Sequence, residues 1–144
     1  MFKQFIEWQK RLSIAFDQRF MPEDMRKFGV DYFDKHLIPA YIRHDITVYD
    51  IGSGKRPCIS YETKKHYQLY IVGVDIDEKE LRAAPSGIYD EIIVADVTQY
   101  DNGGSCADLI LCRSLLEHVR DTRSAVRNIA RFAKQDGHIL VSVP

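Results

Sequence analysis

The stretch Thr47 to Pro57, "TVYDIGSGKRP", runs from a short apolar segment into Asp50, a turn at Gly52, Ser53 and Gly54, and then Lys55. Three kinds of nucleotide loop share part of this spelling. A phosphate-gripping P-loop needs a glycine five residues before the glycine of its Gly-Lys pair, and a Ser or Thr directly after the lysine. Those places hold Tyr49 and Arg56, so that reading fails twice. A dinucleotide loop, G-x-G-x-x-G, uses its third glycine to let helix and strand pack closely, and here Pro57 stands in that place. Proline suits a first helical turn, which predicts a helix after Arg56 with Lys55 exposed at its start. What remains is a turn whose bare backbone a ligand can approach, with a carboxylate ahead of it.

Outward from this loop, short apolar runs alternate with charged, helix-like stretches, the rhythm of βαβ units. Strands are predicted at 46–51, 69–76, 91–97, 107–113 and 137–143. Most are apolar at consecutive positions, as in parallel strands covered on both faces. Helices are predicted after Arg56, Asp77, Ser114 and Asp121, and the quartets beginning at Asp77 and Ser114 both spell capping boxes. "DNGGS", 101–105, is a turn cluster. Before the first strand, Phe2, Phe5, Ile6, Leu12, Phe16 and Phe20 recur at helical spacing and give an apolar face to bury. A second helix is predicted over 23–42 with Met25, Phe28, Tyr32, Phe33, Leu37 and Tyr41, kinked or ended by Pro39.

The strand ends carry the functional signal. Asp75 closes the second strand 21 residues after Gly54, near the roughly 20-residue spacing at which a carboxylate accepts ribose hydroxyls. Asp96 closes the third strand at the same carboxyl edge, where ligands of open α/β sheets bind. Asp50, Asp75 and Asp96 are thus predicted to line one crevice, a setting that repels phosphates and favours a cation or a ligand rich in hydroxyl and amine donors.

In order, "VYDIGSG", "VGVDID", "ADV", "DLILCRSLLEHVRD" and "DGHILVSVP" resemble the successive motifs of the class I S-adenosylmethionine-dependent methyltransferases, over residues 46–144. The resemblance implies a Rossmann-like, doubly wound α/β fold: a mainly parallel sheet of about five strands in the order 3-2-1-4-5, preceded by N-terminal helices. It divides the chain into a helical cap, 1–42, and a cofactor-binding core, 43–144. It implies S-adenosyl-L-methionine as cofactor, with Asp50, Gly52, Ser53 and Gly54 at the methionine end. Asp75 would hold the ribose and Ile76 pack on the adenine. Asp96 would accept from the adenine amino group beside Val97, and Arg113 would line the cofactor with backbone. Tyr32, Phe33 and Tyr41 would either roof the cofactor or pack in the core.

Methyl transfer from a sulfonium is an in-line displacement, so a general base is needed only for an oxygen acceptor of high pKa, and His118 is the candidate. An orienting or packing role is its alternative. The "LCRS" ending of the fourth strand lacks the "NPPY"-like signature of methyltransferases that act on bases or glutamine. The reading is therefore a small-molecule methyltransferase, with an acceptor in cell-surface polysaccharide or lipid synthesis. A non-catalytic cofactor-binding domain and an NAD-linked oxidoreductase are its rivals.

Composition agrees with this class. A net charge of −1, from 20 basic against 21 acidic residues, disfavours a nucleic-acid partner. The stripe Arg120, Arg123, Arg127, Arg131 and Lys134 is read as the solvated side of a helix whose apolar side holds Val126, Ile129, Ala130 and Ala133. Cys58, Cys106 and Cys112 form no C-x-x-C pair, which fits reduced cytoplasmic thiols better than disulfides. No metal-ligand spacing occurs among the histidines, and no membrane insertion is expected. The familiar sheet of the family has seven strands. A chain ending at Pro144 is therefore expected to be a fragment or a short member, with a dimer contact as one way to cover its fifth strand.

Overall fold

The computed structural model describes residues 2–21, 29–101, 103–104 and 106–143. The start of the second predicted helix, with Met25 and Phe28, lies outside the described residues, as do Asn102 and Ser105 of the turn cluster and Pro144. Helix α1 (Phe2–Phe20) comes first, then α2 (Gly29–Tyr32), a π-helical turn (Phe33–Leu37) and α3 (Ile38–Tyr41). The strands β1 (Thr47–Ile51), β2 (Tyr70–Asp75), β3 (Glu91–Val94), β4 (Ala107–Arg113) and β5 (Ala133–Ser142) follow. Between them lie α4 (Tyr61–Tyr67), α5 (Glu78–Arg82), a 3₁₀ turn (Leu116–His118) and α6 (Thr122–Phe132). All pairings are parallel and the order is β3-β2-β1-β4-β5, as the resemblance implied.

Apolar residues on both strand faces divide the core into two layers. Tyr49, Ile51, Val72, Val74, Ile110 and Cys112 pack on one side with Ala125, Ile129 and Phe132 of α6. Val48, Ile71, Leu109 and Leu111 pack on the other with Phe33 and Ile38 of the N-terminal helices and with Ile59 and Ile88. Alternation along β1 sends Val48 and Tyr49 to opposite faces, and by the same period Asp50 shares the Val48 face while Ile51 takes the other.

Several local expectations give way to specific chemistry. The helix predicted after Arg56 begins only at Tyr61. Cys58 donates its N–H to Asp50 Oδ2 at 2.7 Å and Ile59 is buried, which keeps residues 57–60 out of the helix until Ser60 caps α4 by accepting from Thr63 N at 3.1 Å. Lys55 consequently lies in the turn rather than at a helix start, where it pairs with Glu80 at 2.9 Å. Because Ser60 supplies the cap of a seven-residue helix, Ser60→Ala should cost about 1 kcal/mol, read as a lower midpoint in urea denaturation. Asp77 caps α5 through Lys79 and Glu80 N–H groups, as predicted. Ser114 does not cap: its φ of +52° excludes the cap conformation, and its N–H joins Ser142 O instead.

Pro39 does not end its helix, which continues to Tyr41. The π turn just before it widens the spiral, with Ile38 N–H reaching Phe33 O, and so absorbs the missing proline donor. In α6 the buried residues are Ala125, Asn128, Ile129 and Phe132, while Val126 and Ala130 face solvent, a rotation of the predicted apolar side. Asn128 explains the rotation, since its side-chain amide donates to Val97 O at 2.9 Å. The apolar side of α1 is not buried: Phe5, Trp8, Leu12, Phe16 and Phe20 are each at least half exposed. Strand β5 starts four residues early, and residues 134–137 bulge opposite Asp108 before pairing resumes at His138. Among the described residues no helix is long and apolar enough to cross a membrane.

Candidate cofactor-binding and active site

At the carboxyl edge of β1, β2 and β3 lies a cavity of about 370 Å³. Its walls come from Ile51, Val74, Ile76, Val97, Leu115 and Val119, and its acidic groups include Asp75 and Asp96. Gly52, also in the wall, has φ +75° and donates its N–H to Val74 O at 2.7 Å. A Cβ there would stand 2.8 Å from the Leu115 side chain, so only glycine permits both the turn and the wall behind it. Gly54, with φ +50°, brings the chain past Asp75: a Cβ at Gly54 would stand 3.4 Å from Asp75 Oδ2 and 3.0 Å from Glu80 Cβ.

Two of the carboxylates in the wall, Asp75 and Asp96, are held differently. Asp75 Oδ1 accepts from Asp77 N at 3.0 Å, and its Oδ2 accepts no hydrogen bond from the described residues. Asp96 Oδ1 accepts from both Thr98 N and Thr98 Oγ1 at 2.8 Å, which holds its carboxyl below the usual range and ionised. Its Oδ2 has only a long contact to Gln99 at 3.4 Å. Each therefore presents one oxygen with capacity to accept.

Asp50 does not reach the cavity. Lying on the opposite face from Ile51, it is 1% exposed, and its Oδ1 has no partner among the described residues. Burial pushes its carboxyl above the usual range, opposed by the Cys58 N–H. Burial and the adjacent Asp50 also push the Cys58 thiol up, which keeps it protonated. Arg113 likewise turns its side chain away: it donates from Nη1 to Asp34 Oδ2 at 2.6 Å and from Nη2 to Arg56 O at 2.8 Å. The Ser53 hydroxyl bonds to the Tyr89 phenol at 2.7 Å.

His118 does line the cavity, at the end of the 3₁₀ turn, with Arg120 and Asp121 beside it. Its ring makes no hydrogen bond with the described residues, and the backbone N–H of His118 donates to Leu115 O at 2.9 Å. None of Tyr32, Phe33 and Tyr41 lines the cavity. Phe33 is core, Tyr32 is exposed, and Tyr41 packs on His138 with the rings tilted by 54° and their centroids 4.8 Å apart. Of the predicted site residues, the fold thus gathers Gly52, Asp75, Ile76, Asp96, Val97 and His118 around one space. It leaves Asp50, Ser53, Gly54 and Arg113 behind the loop or at its rim.

The profile of the methyltransferase domain family matches residues 49–141, the segment that runs from β1 to β5. The chain belongs to this family. Relatives include a probable (S)-tetrahydroprotoberberine N-methyltransferase of Papaver bracteatum, 25% identical over 108 residues, or 71% of this chain and 30% of that protein. A ubiquinone biosynthesis O-methyltransferase of Cupriavidus pinatubonensis is 32% identical over 103 residues, covering 66% of this chain and 40% of its own length. This chain therefore spans well under half of either relative. Among solved structures, coclaurine N-methyltransferase bound to N-methylheliamine and SAH aligns with a TM-score of 0.62 at 19% identity, covering 78% of this chain and 34% of that one. That likeness is one of fold.

Leu115, Val119 and Arg120 line the cavity without having been assigned to the site from sequence. Their signal was present but indirect, since all three lie in the "SLLEHVR" run just past the fourth strand.

Proposed function

We propose that this chain binds S-adenosyl-L-methionine across the carboxyl ends of β1, β2 and β3, as the core of a methyltransferase that acts on a small organic acceptor. One observation carries the reading: two carboxylates with accepting capacity sit in a single apolar-walled cavity beside a glycine turn of positive φ. That combination suits a nucleoside with a cationic tail. Ribose hydroxyls donate to Asp75 Oδ2, and the adenine lies between Ile76 and Val97 with its amino group toward Asp96. The backbone of Gly52, Ser53, Gly54 and Arg113 flanks the methionine end.

When bound, the cofactor supplies an electrophilic methyl group on a sulfonium. The chain's own contribution is to align the acceptor and exclude water, through the apolar wall of Ile51, Leu115 and Val119. For an oxygen acceptor, His118 takes the proton, its ring being held by no other described residue. The names of the curated relatives support a small organic acceptor. One is named for a tetrahydroprotoberberine and two for ubiquinone biosynthesis.

Calorimetric titration with S-adenosylhomocysteine and, separately, with NAD tests the reading. Binding of the thioether nucleoside with no NAD heat is expected, whereas tight NAD binding without the other would sink it. Asp75→Ala should then weaken the nucleoside by about 1 to 3 kcal/mol, the cost of an unpaired hydroxyl pair. Unchanged affinity would mean that the ribose lies elsewhere.

A further inference from the structure

The glycine loop is held from behind by a residue outside every motif. Tyr89, in the segment between α5 and β3, donates its phenolic O–H to Gly54 O at 2.9 Å. With that single proton committed, the phenol oxygen accepts from Ser53 Oγ at 2.7 Å. One side chain thus ties two successive residues of the turn, including the carbonyl of the residue whose φ is +50°. The ring is seated by β2: a Cβ at Gly73 would stand 2.9 Å from three of its atoms, so the bare strand is what lets the phenol reach the loop.

The platform under Tyr89 is itself anchored. Asp90, the next residue, accepts from Ile71 N at 2.7 Å and donates its own N–H to Ile71 O at 2.8 Å, closing both bonds onto β2. Lys64 of α4 pairs with Asp90 Oδ1 at 2.8 Å and donates to Gly87 O at 2.7 Å, which brackets Tyr89 on both sides. On the far side of the loop the Lys55–Glu80 pair is solvent-exposed and holds the loop weakly. The half-buried phenol is the stronger restraint.

We infer that Tyr89 is a positioning residue for cofactor binding, which sets the Ser53–Gly54 peptide in its ligand-receiving shape. The inference rests on the cofactor reading above. It requires no contact between Tyr89 and the ligand, only that removing the hydroxyl loosens the loop while the ring stays on Gly73.

Tyr89→Phe tests it, because the ring and its seat survive and only the two hydrogen bonds go. With wild type binding S-adenosylhomocysteine, the variant should bind about 5- to 30-fold more weakly by titration, while the ligand-free protein still folds and unfolds cooperatively in denaturant. The Lys55 backbone amide, which shares its peptide with Gly54 O, should shift in the ¹⁵N–¹H spectrum. Unchanged affinity in a folded Tyr89→Phe overturns the inference. Should that variant not fold, Ser53→Ala decides: it removes one link of the chain, and a loss of about 2- to 5-fold supports the inference while no loss overturns it. Wild type that binds no S-adenosylhomocysteine would overturn the cofactor reading, and with it this one.

Discussion

Gly52→Ala should unfold at lower denaturant than wild type by about 2 to 5 kcal/mol and lose most of its affinity for S-adenosylhomocysteine. Two separate costs combine. A non-glycine residue at φ +75° costs roughly 1 to 2 kcal/mol. The new Cβ, at 2.8 to 2.9 Å from three Leu115 atoms, adds overpacking of about 1 to 3 kcal/mol. Leu115 is also cavity wall, so relief of the clash moves the surface that the ligand needs. The double variant Gly52→Ala/Leu115→Gly separates the terms, since it removes all three clashing atoms and leaves the backbone strain. Wild-type stability and affinity in Gly52→Ala would show that the turn tolerates a side chain, contrary to the geometry.

Asp50→Asn should gain stability relative to wild type as pH rises, with little change in binding. Burial holds the Asp50 carboxyl above its ordinary value, so the native state disfavours the ionised form. A group raised in the folded state contributes stability that is fully present below its unfolded pKa of about 3.9 and is lost as pH rises through the folded value. The ligand-free wild type therefore loses stability over that window, and Asp50→Asn does not. The variant's relative stability should rise from acid toward neutral pH, as its amide oxygen still accepts the Cys58 N–H. Affinity for S-adenosylhomocysteine should change little, since Asp50 lies behind the loop and outside the cavity. Thermal melts across pH with parallel titrations provide both readings. A loss of tenfold or more would mean that the ligand reaches the buried carboxyl, and a flat stability difference across pH would mean that Asp50 titrates alike in the folded and unfolded chain.

The alternation of apolar runs with charged stretches was enough to predict five parallel strands and their helices, because burial on both faces removes polar residues from a parallel strand wherever it lies in the sheet. Asp75 and Asp96 were legible for the same reason. Each ends an apolar run, and the carboxyl ends of parallel strands share one edge, so their meeting in one cavity follows from topology. Asp50 had the same signature and yet lies behind the loop. It stops one residue short of the strand end, and the period of two sends it to the opposite face.

Side-chain direction was illegible elsewhere too. Arg113 stands at the predicted edge, but its guanidinium turns toward Asp34, 79 residues earlier, because that carboxylate and the Arg56 carbonyl offer a fork of acceptors there. Ser114 spells a capping box and adopts φ +52° instead, since its N–H is claimed by β5. Pro39 reads as a helix stop, but a π turn accommodates it. The hold of Tyr89 on Ser53 spans 36 residues and depends on a glycine in another strand.

Local pattern thus settled which segments are strands, their shared edge and the acidic character of the cleft, since those follow from burial and chain direction, which each segment carries within itself. The partners of Arg113, Ser53 and Tyr89 depended on the fold. Each pairing joins groups distant along the chain, and the energy that selects it exists only once the sheet has brought them within hydrogen-bonding range.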